Sequence, residues 1–376
     1  MFGKRITLFT VFGFTVRLDL SWLLLATLVT YLAADAFQQE PASFAVGTSW
    51  VMGVAISLGL FVSIVLHELT HSLVARMHGM RMKGITLFLL GGVAEMEDEP
   101  PTPWAEFGMA IIGPIASVFI AATLGGASWI AKNSDLPGPI TSVLAQLGYI
   151  NVSLAVFNMV PAFPLDGGRV LRSILWAING NQRWATRIAS FLGVAFGVLL
   201  VLAGLFFVFG PARSWPQILM VMVGLFVIVA ARMPLRQLAV RDALAGLTVR
   251  RFMQPDPIVV PRWIPLSEFL EDFVYKHQEK AFPVVDQSGL VGFISIDHLK
   301  NVPRDEWPNR SVGEVAMPMP LAATIAADDP ADVALARMGQ TGLSRLHVID
   351  GGQHAGSVRI ADLLAFIRLR GEVEGG

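Results

Sequence analysis

The chain has no cysteine and little charge. Without cysteine it can form no disulfide and offer no thiolate ligand, so a bound metal would have to be held by histidine, aspartate or glutamate. Only 15% of its 376 residues are charged and 54% are hydrophobic, whereas a typical soluble domain is about 25% charged. The formal net charge of -1 gives no indication of nucleic-acid binding. This composition predicts a polytopic membrane protein.

Six uncharged or nearly uncharged runs are long enough to cross a bilayer. They lie at residues 18–37, 48–77, 104–131, 139–160, 185–209 and 215–231. Arg17 interrupts the apolar stretch near the start and no small-residue cleavage site follows, so we expect no cleaved signal peptide. Lysine and arginine are concentrated in one set of the short connecting segments, and the positive-inside rule places that set and both termini in the cytoplasm. We therefore expect a multi-pass protein of the cell membrane whose C-terminal tail is cytoplasmic.

The most specific motif is His67-Glu68-Leu69-Thr70-His71, at the end of the second apolar run. Two histidines four residues apart lie on one face of a helix, so both imidazoles can reach one metal ion. Glu68, between them, can act as a general base toward a water at that ion. The pattern predicts a hydrolytic metal site within a membrane helix.

A catalytic zinc site needs a third protein ligand besides the two histidines. The best candidate is Asp166, in a segment at 158–169 where two prolines and two glycines must end the fourth apolar run. Asp166 is then expected on irregular backbone, where a carboxylate at membrane depth is costly unless it is paired or bound to a metal. The orientation derived from lysine and arginine puts Asp166 and His67 on the same side of the bilayer. Asn158, eight residues earlier, is placed to donate an amide hydrogen bond to a developing oxyanion.

Two segments near the metal motif predict strands rather than helices. Residues 4–17 are rich in β-branched and aromatic side chains around Gly13, and we interpret them as a short hairpin at the membrane surface. Residues 82–95 predict a second strand and turn around Gly91-Gly92. Because non-helical backbone near a bilayer must be satisfied by protein or by a wet cavity, we expect this second segment to pack against the site.

At these residues the chain resembles a known family. His67-Glu68-x-x-His71 together with Asn158-x-x-Pro161-x-x-x-Leu165-Asp166-Gly167 resembles the site-2 protease family of intramembrane metalloproteases. Three further pieces are similar to that family's third-span pattern: Gly92-x-Ala94, Glu106-Phe107 and Gly113-Pro114-x-x-Ser117. The resemblance covers about residues 1–235 and is greatest to the prokaryotic six-span group that carries a cytoplasmic tail domain.

The resemblance implies a mechanism and a substrate. It implies His67, His71 and Asp166 as ligands of Zn²⁺. It also implies Glu68 as the catalytic base and Asn158 as a helper in the transition state. The implied substrate is a transmembrane helix of another protein, cut in the regulated release of a membrane-tethered factor. Since a helix hides its carbonyls in its own hydrogen bonds, we hypothesise that it is unwound and that the segment 82–95 receives it by edge pairing.

The tail contains an internal repeat. After about residue 245 the composition becomes that of a soluble domain, and the segment 282–286 recurs 64 residues later as 346–350. Each unit predicts strand, helix, strand, strand, helix. The pair resembles tandem CBS domains at about 245–303 and 308–370. We therefore expect six transmembrane helices with short β-hairpins in a domain at 1–236, followed by a soluble α/β CBS domain at 245–376.

The resemblance to CBS pairs implies a regulatory ligand. Such pairs often bind adenine nucleotides, so we expect ATP or AMP in the clefts of the tail, with Asp297 and Asp362 contacting ribose. The partners expected for the whole chain are a transmembrane protein substrate and the lipid bilayer, with no nucleic acid, and a homodimer is left open.

Other interpretations stay open at this point. A membrane ion or metal transporter regulated by a CBS tail is the main alternative, because intramembrane ionisable residues often mark ion pathways. An inactive scaffold is the second, although a glutamate between two ligand histidines favours a hydrolase. Arg169 and Arg172 are interpreted as anchors at the cytoplasmic interface. The acidic residues of 95–99 are interpreted as a solvated loop, and the tail histidines as ordinary packing or surface residues.

Overall fold

The computed structural model describes residues 5–39, 43–88, 91–96, 100–208, 215–254, 258–277, 281–287, 289–318, 320–351 and 353–374. The chain divides into two compact units, Met1–Arg236 and Gln237–Gly376. The first unit contains the residues of the predicted metal site, and the second contains the internal repeat.

Long apolar helices dominate the first unit. In chain order the helices of this unit are α1 (Trp22–Gln38), α2 (Val46–Met77), α3 (Pro103–Asn133), α4 (Gly138–Asn158), α5 (Asp166–Asn179), α6 (Gln182–Val208) and α7 (Trp215–Ala231), with α8 (Met233–Leu244) at the boundary between the units. Among the described residues, five helical stretches are long and apolar enough to cross a membrane: α2, α3, α4, α6 and Ile218–Leu244. The first predicted run forms α1, whose 17 residues are at the lower limit for a span. The predicted count of six is therefore not confirmed.

Both predicted strand segments are confirmed, and they join into one sheet that the sequence did not indicate. Strands β1 (Arg5–Val11) and β2 (Phe14–Asp19) form an antiparallel hairpin, and so do β3 (Met82–Phe88) and β4 (Gly91–Met96). The hairpins are joined by parallel pairing of β2 with β3, so the order is β1-β2-β3-β4. β1 and β4 are the edge strands of this sheet.

The sheet packs on the part of α2 that carries the metal motif. The buried cluster between them contains Phe14, Val16, Ile85 and Leu87 from the strands and Ile64, Val65 and Leu69 from α2. Near the end of α2, Arg76 donates a 2.7 Å hydrogen bond to the carbonyl of Phe12 at the turn of the first hairpin. The sheet is thus fixed to the same end of α2 as the two motif histidines.

The start of α5 corrects one prediction. Asp166 does not lie on irregular backbone; the loop before it is irregular, and Asp166 is the first residue of the helix. The helix can begin here because two glycines lie against the preceding loop. A Cβ atom on Gly167 would collide with the backbone of Met159, and one on Gly168 would collide with that of Ala162. Helix α5 therefore packs closely on the loop that leads into it. This packing fixes the position of Asp166 at the N-terminus of α5.

The second unit contains the predicted repeat. Its first half comprises β5 (Val260–Pro261), α9 (Leu266–Glu268, continuing as a π-helix over Phe269–Tyr275), β6 (Ala281–Asp286), β7 (Gly289–Ser295) and α10 (Ile296–Lys300). After the short α11 (Val312–Val315), the second half comprises β8 (Thr324–Ala326), α12 (Ala331–Thr341), β9 (Arg345–Asp350), β10 (Gln353–Arg359) and α13 (Ile360–Glu374). In each half an antiparallel hairpin is joined in parallel by the first strand. The order strand, helix, strand, strand, helix is confirmed in both.

Candidate metal centre

Three side chains from two helices converge on one point. His67 and His71 extend from α2, and Asp166 begins α5. The Nε2 atoms of the histidines lie 3.2 Å apart. Oδ2 of Asp166 lies 3.1 Å from Nε2 of His67 and 3.3 Å from Nε2 of His71. Both histidines are buried, and among the described residues this is the one group of three or more potential ligands whose atoms cluster closely enough to hold a metal ion.

The three ligand atoms fit one face of a zinc coordination tetrahedron. With bonds of about 2.0–2.1 Å, two ligands of a tetrahedral Zn²⁺ lie about 3.3 Å apart, and the three separations here are 3.1, 3.2 and 3.3 Å. A set of two imidazoles and one carboxylate suits Zn²⁺, and three protein ligands leave a fourth position for water or substrate. The donor set therefore fits a catalytic zinc ion.

Helix α3 fixes the orientation of both imidazoles. Nδ1 of His71 donates a 2.6 Å hydrogen bond to the carbonyl oxygen of Met109, and Nδ1 of His67 lies 2.9 Å from Oγ of Ser117. Because a carbonyl oxygen can only accept, the proton of His71 is on Nδ1 and the lone pair of Nε2 faces the ligand triangle. The approach of α3 is close enough that a Cβ atom on Gly113 would collide with the two rings.

Glu68 lies between the ligand helix and strand β4. A Cβ atom on Gly92 of β4 would be 2.7 Å from Cγ and 3.1 Å from Oε1 of Glu68. Glu68 is half-buried and does not belong to the group of converging ligand atoms. Its position next to His67 on the same helix suits a proton acceptor, and the edge strand lies against it.

Among the described residues, no hydrogen bond assigns a role to Asn158. It is the last residue of α4 and is half-buried. Within the described part of the chain its side chain forms no hydrogen bond to the ligand triad. Asn151, two turns earlier in the same helix, is fully buried, and its amide donates to Oγ of Ser63 at 3.0 Å and to the carbonyl of Leu147 at 2.9 Å. Asn151 therefore joins α4 to α2.

Arg172 corrects a second prediction. It is not an anchor at the membrane surface: it is 9% exposed, and its Nε donates a 2.8 Å hydrogen bond to Oε1 of the fully buried Glu106. A count of positive charges in connecting segments cannot detect this, because it ignores which face of α5 a residue occupies. Of the acidic run at 95–99 predicted as a solvated loop, Glu95 belongs to strand β4 instead, and residues 97–99 lie outside the described residues.

The two aspartates predicted to meet a nucleotide are not equivalent in the structure. Asp362 is the third residue of α13, and the third residue of α10 is His298, so Asp297 lies one position earlier. Asp297 accepts a 2.6 Å hydrogen bond from Lys300 on an exposed surface. Asp362 is held by both Nε and Nη2 of Arg359, at 3.0 and 2.9 Å. A ribose at Asp362 would have to compete with this two-point ion pair.

Two tail histidines form a packed pair. Nδ1 of His347 lies 3.1 Å from Nε2 of His354, across the β9–β10 hairpin. Burial, with the nearby positive charge of His354 and Arg345, lowers the pKa of His347 to about 4. Burial also lowers the pKa of His354. The pair is therefore neutral near pH 7, as packing residues of a folded domain should be.

We expect the second unit to lose stability as pH falls from about 6.5 toward 4. A pKa of His347 lowered from 6.5 to about 4 on folding means that the unfolded chain binds its proton first. The stabilisation is complete above pH 6.5 and is lost progressively below it, by at most about 3 kcal/mol. Thermal unfolding of residues 237–376 at pH 4–8 measures the effect. His347→Asn should flatten the profile relative to the exposed control His277→Gln; identical profiles would contradict the expectation.

Comparison with known proteins gives matches over both units. The family model described as Peptidase family M50 matches residues 55–131 and 121–201, and the CBS domain model matches 249–305 and 312–369. A Synechocystis sp. protein provisionally named a zinc metalloprotease is 33% identical over 96% of this chain and 95% of its own length. A zinc metalloprotease of Methanocaldococcus jannaschii is 29% identical over 96% of this chain and 95% of its own length. Among solved structures, the site-2 protease from M. jannaschii is 30% identical, with a TM-score of 0.45, over 61% of this chain and 94% of that one.

Proposed function

The chain is a zinc metalloprotease of peptidase family M50, the site-2 protease family, and we propose that it cuts transmembrane segments of other membrane proteins. The observation that carries this proposal is the triangle of His67, His71 and Asp166, which lies on and beside helices long enough to cross a bilayer. The metalloprotease assignment takes the place of the transporter and scaffold alternatives.

We assign the chemistry to the residues that surround the triangle. His67, His71 and Asp166 would hold Zn²⁺, which when bound supplies a Lewis acid and makes a nearby water acidic. Glu68 takes a proton from the attacking water and returns it to the leaving amine. Helix α3 orients both rings toward the triangle through the Met109 carbonyl and the Ser117 hydroxyl. Asn158 is proposed to donate to the oxyanion, on the family resemblance alone.

Strand β4 supports a role in substrate docking. In the sheet formed by the described residues it is an edge strand that pairs with β3 alone. Its Gly92 lies against Glu68 and Ile64. A peptide that pairs with the outer edge of β4 would therefore run past the proposed base, and an edge pairing selects an extended peptide over a helix. This would deliver an unwound part of a transmembrane segment to the site.

We expect proline in β4 to reduce cleavage without removing zinc. Proline lacks the backbone N–H that an added strand would accept from. Single substitutions of Val93, Ala94 and Glu95 by proline should include at least one that lowers turnover tenfold or more, measured with zinc content in the same preparations. Proline at Leu8, in the opposite edge strand β1, is the matched control. If cleavage survives proline at all three β4 positions, the docking hypothesis is wrong.

The protease proposal is tested by finding what is cut. The full chain is co-expressed with candidate single-span membrane proteins, in parallel with a His67→Ala variant that lacks one ligand. The expected result is a product that depends on His67 and whose new terminus maps within the apolar span. A cut that maps only to soluble loops would refute intramembrane proteolysis while leaving the metalloprotease assignment intact.

We further propose a sixth span formed by α1, cytoplasmic termini, and regulation by an adenine nucleotide in the tail. The distribution of lysine and arginine supports the orientation. The two CBS matches at 249–305 and 312–369 support a regulatory tail. The ion pair between Arg359 and Asp362 affects the nucleotide proposal, because the Asp362 carboxylate is already bound by the Arg359 guanidinium.

We expect ATP or AMP to bind the tail more tightly when Arg359 is replaced by alanine. Removing the guanidinium leaves Nε2 of Gln254, at 3.1 Å, as the remaining described donor to the Asp362 carboxylate, so a ribose hydroxyl can compete for it and the affinity should rise several-fold. Asp362→Ala should abolish binding in that cleft. Isothermal titration of the full chain with each nucleotide measures both effects, and Lys300→Ala provides the corresponding change at Asp297. If neither nucleotide gives heat on titration or a shift in stability with any of these proteins, nucleotide regulation is ruled out.

A further inference from the structure

A buried ion pair close to the metal centre has no part in the chemistry proposed above. Glu106 of α3 is fully buried, and Arg172 of α5 is 9% exposed. Nε of Arg172 donates to Oε1 of Glu106 at 2.8 Å, and Nη2 donates to the same oxygen. The guanidinium also lies over the ring of Phe163, 5.3 Å from its centroid. Arg172 is therefore held from two sides.

Stability alone does not account for this pair. Removing two charges from water is costly, and replacing such a pair with apolar residues of similar volume often leaves a protein equally or more stable. The cost is greater in a unit that spans a membrane. This ion pair has a defined direction, because two N–H groups point at one oxygen. An apolar contact has no such direction. The pair is suited to setting the position of one helix against another.

Helix α3 lies between the two helices that carry the metal ligands. It packs extensively against α2 and against α5, whereas α2 and α5 touch each other at few residues. On the α2 side, α3 holds the histidines through the Met109 carbonyl and the Ser117 hydroxyl. On the α5 side, it holds Arg172 through Glu106. Asp166 is thus placed relative to the histidines mainly through α3.

The spacing along both helices connects the ion pair directly to the ligands. Glu106 is three residues before Met109 on α3, so the ion pair and the His71 hydrogen bond are about one turn apart. Arg172 is six residues after Asp166, or about 9 Å along α5. A helix segment this short transmits a displacement at Arg172 to Asp166 as a rigid body.

We propose that Glu106 and Arg172 are positioning residues whose buried ion pair fixes α5 against α3 and thereby holds Asp166 at coordination distance from His67 and His71. The inference rests on the ligand set of the proposed function. The pair acts through Asp166 and touches neither substrate nor metal. Its loss should therefore change the metal site itself and not only the rate of cleavage.

The test uses the full-length protein and replaces both charges at once. In the double variant Glu106→Leu/Arg172→Met both members of the hydrogen-bonded pair become apolar, so neither is left as a buried charge without the other, and folding is expected to survive. Zinc affinity is measured by competition with a chelator, and the geometry of the site by the visible spectrum of the Co²⁺-loaded protein. We expect zinc affinity to fall about 10- to 100-fold, as it does when other groups that orient metal ligands are removed. The Co²⁺ spectrum should change as well. The exposed pair Glu306 and Arg310, changed in the same way, is the matched control.

Three outcomes decide the inference. A folded double variant with the wild-type zinc affinity and Co²⁺ spectrum would overturn it. Should the double variant fail to fold, Glu106→Asp keeps both charges and shortens the link by one methylene; weakened zinc binding supports the inference and unchanged binding overturns it. A wild-type protein that binds no zinc would refute the ligand set as well, which separates failure of the proposed function from failure of the positioning role alone.

Discussion

Replacing Glu68 with glutamine is expected to reduce cleavage by about a thousandfold or more while the zinc content stays at the wild-type level. The amide has nearly the shape of the carboxylate but cannot take a proton from the attacking water, so the reaction loses its base and then its acid. The three groups that converge as ligands are His67, His71 and Asp166, and none of them is altered. This variant should therefore keep the wild-type zinc content and lose most of its cleavage activity.

Two measurements on one preparation check this expectation. Zinc per molecule is determined by atomic absorption, and the cleavage rate is determined on a single-span substrate in detergent or vesicles. Glu271→Gln changes an exposed glutamate of the tail and serves as the control for the loss of one negative charge. Loss of zinc along with activity would make Glu68 part of the metal-holding structure. Undiminished cleavage would remove it from the mechanism.

The grouping of His67, His71 and Asp166 was predictable because the sequence signal for each residue is local, although Asp166 lies on a different helix from the histidines. Two histidines four residues apart must share a helix face, and Asp166 follows a break that only prolines and glycines would impose on an apolar run. The strands were predictable for the same reason, since Gly13 and Gly91-Gly92 interrupt β-branched segments. Each of these signals lies within about fifteen residues, where the period of the backbone determines which side chains meet.

Contacts between distant segments carried no such signal. The parallel pairing of β2 with β3 joins residues as distant in the chain as Val16 and Ile85, and nothing in either strand specifies its partner. The acceptor for His71 is the carbonyl of Met109, a backbone atom that every residue has. Arg172 belongs to a helix whose inward face is set only by packing on α3, so a charge count assigned it to the interface. The residues that support the site are therefore harder to predict from the sequence than the three proposed metal ligands.

Alanine at Gly113 is expected to weaken zinc binding at least about a hundredfold, and to reduce cleavage with it, whereas alanine at Gly108 should have little effect. Both glycines lie in α3, so the gain in helix propensity, up to about 1 kcal/mol, is the same for each. A Cβ atom at Gly108 would meet nothing within 4 Å. A Cβ atom at Gly113 would collide with Nε2 of His71 and lie 2.8 Å from Cε1 of His67. The substitution therefore places a methyl group against the ring atoms of both motif histidines.

The imidazoles have no simple way to make room for that methyl group. Their Nδ1 atoms are held by α3 itself, at 2.6 Å from the Met109 carbonyl and 2.9 Å from Ser117, so a shift of the rings breaks the hydrogen bonds that orient them. Zinc affinity by chelator competition should fall at least about a hundredfold in Gly113→Ala, with the unfolding temperature measured alongside. Wild-type affinity in a folded Gly113→Ala protein would mean that α3 can move away from α2 without cost to the site. That result would contradict the account in which α3 is the element that orients both histidines.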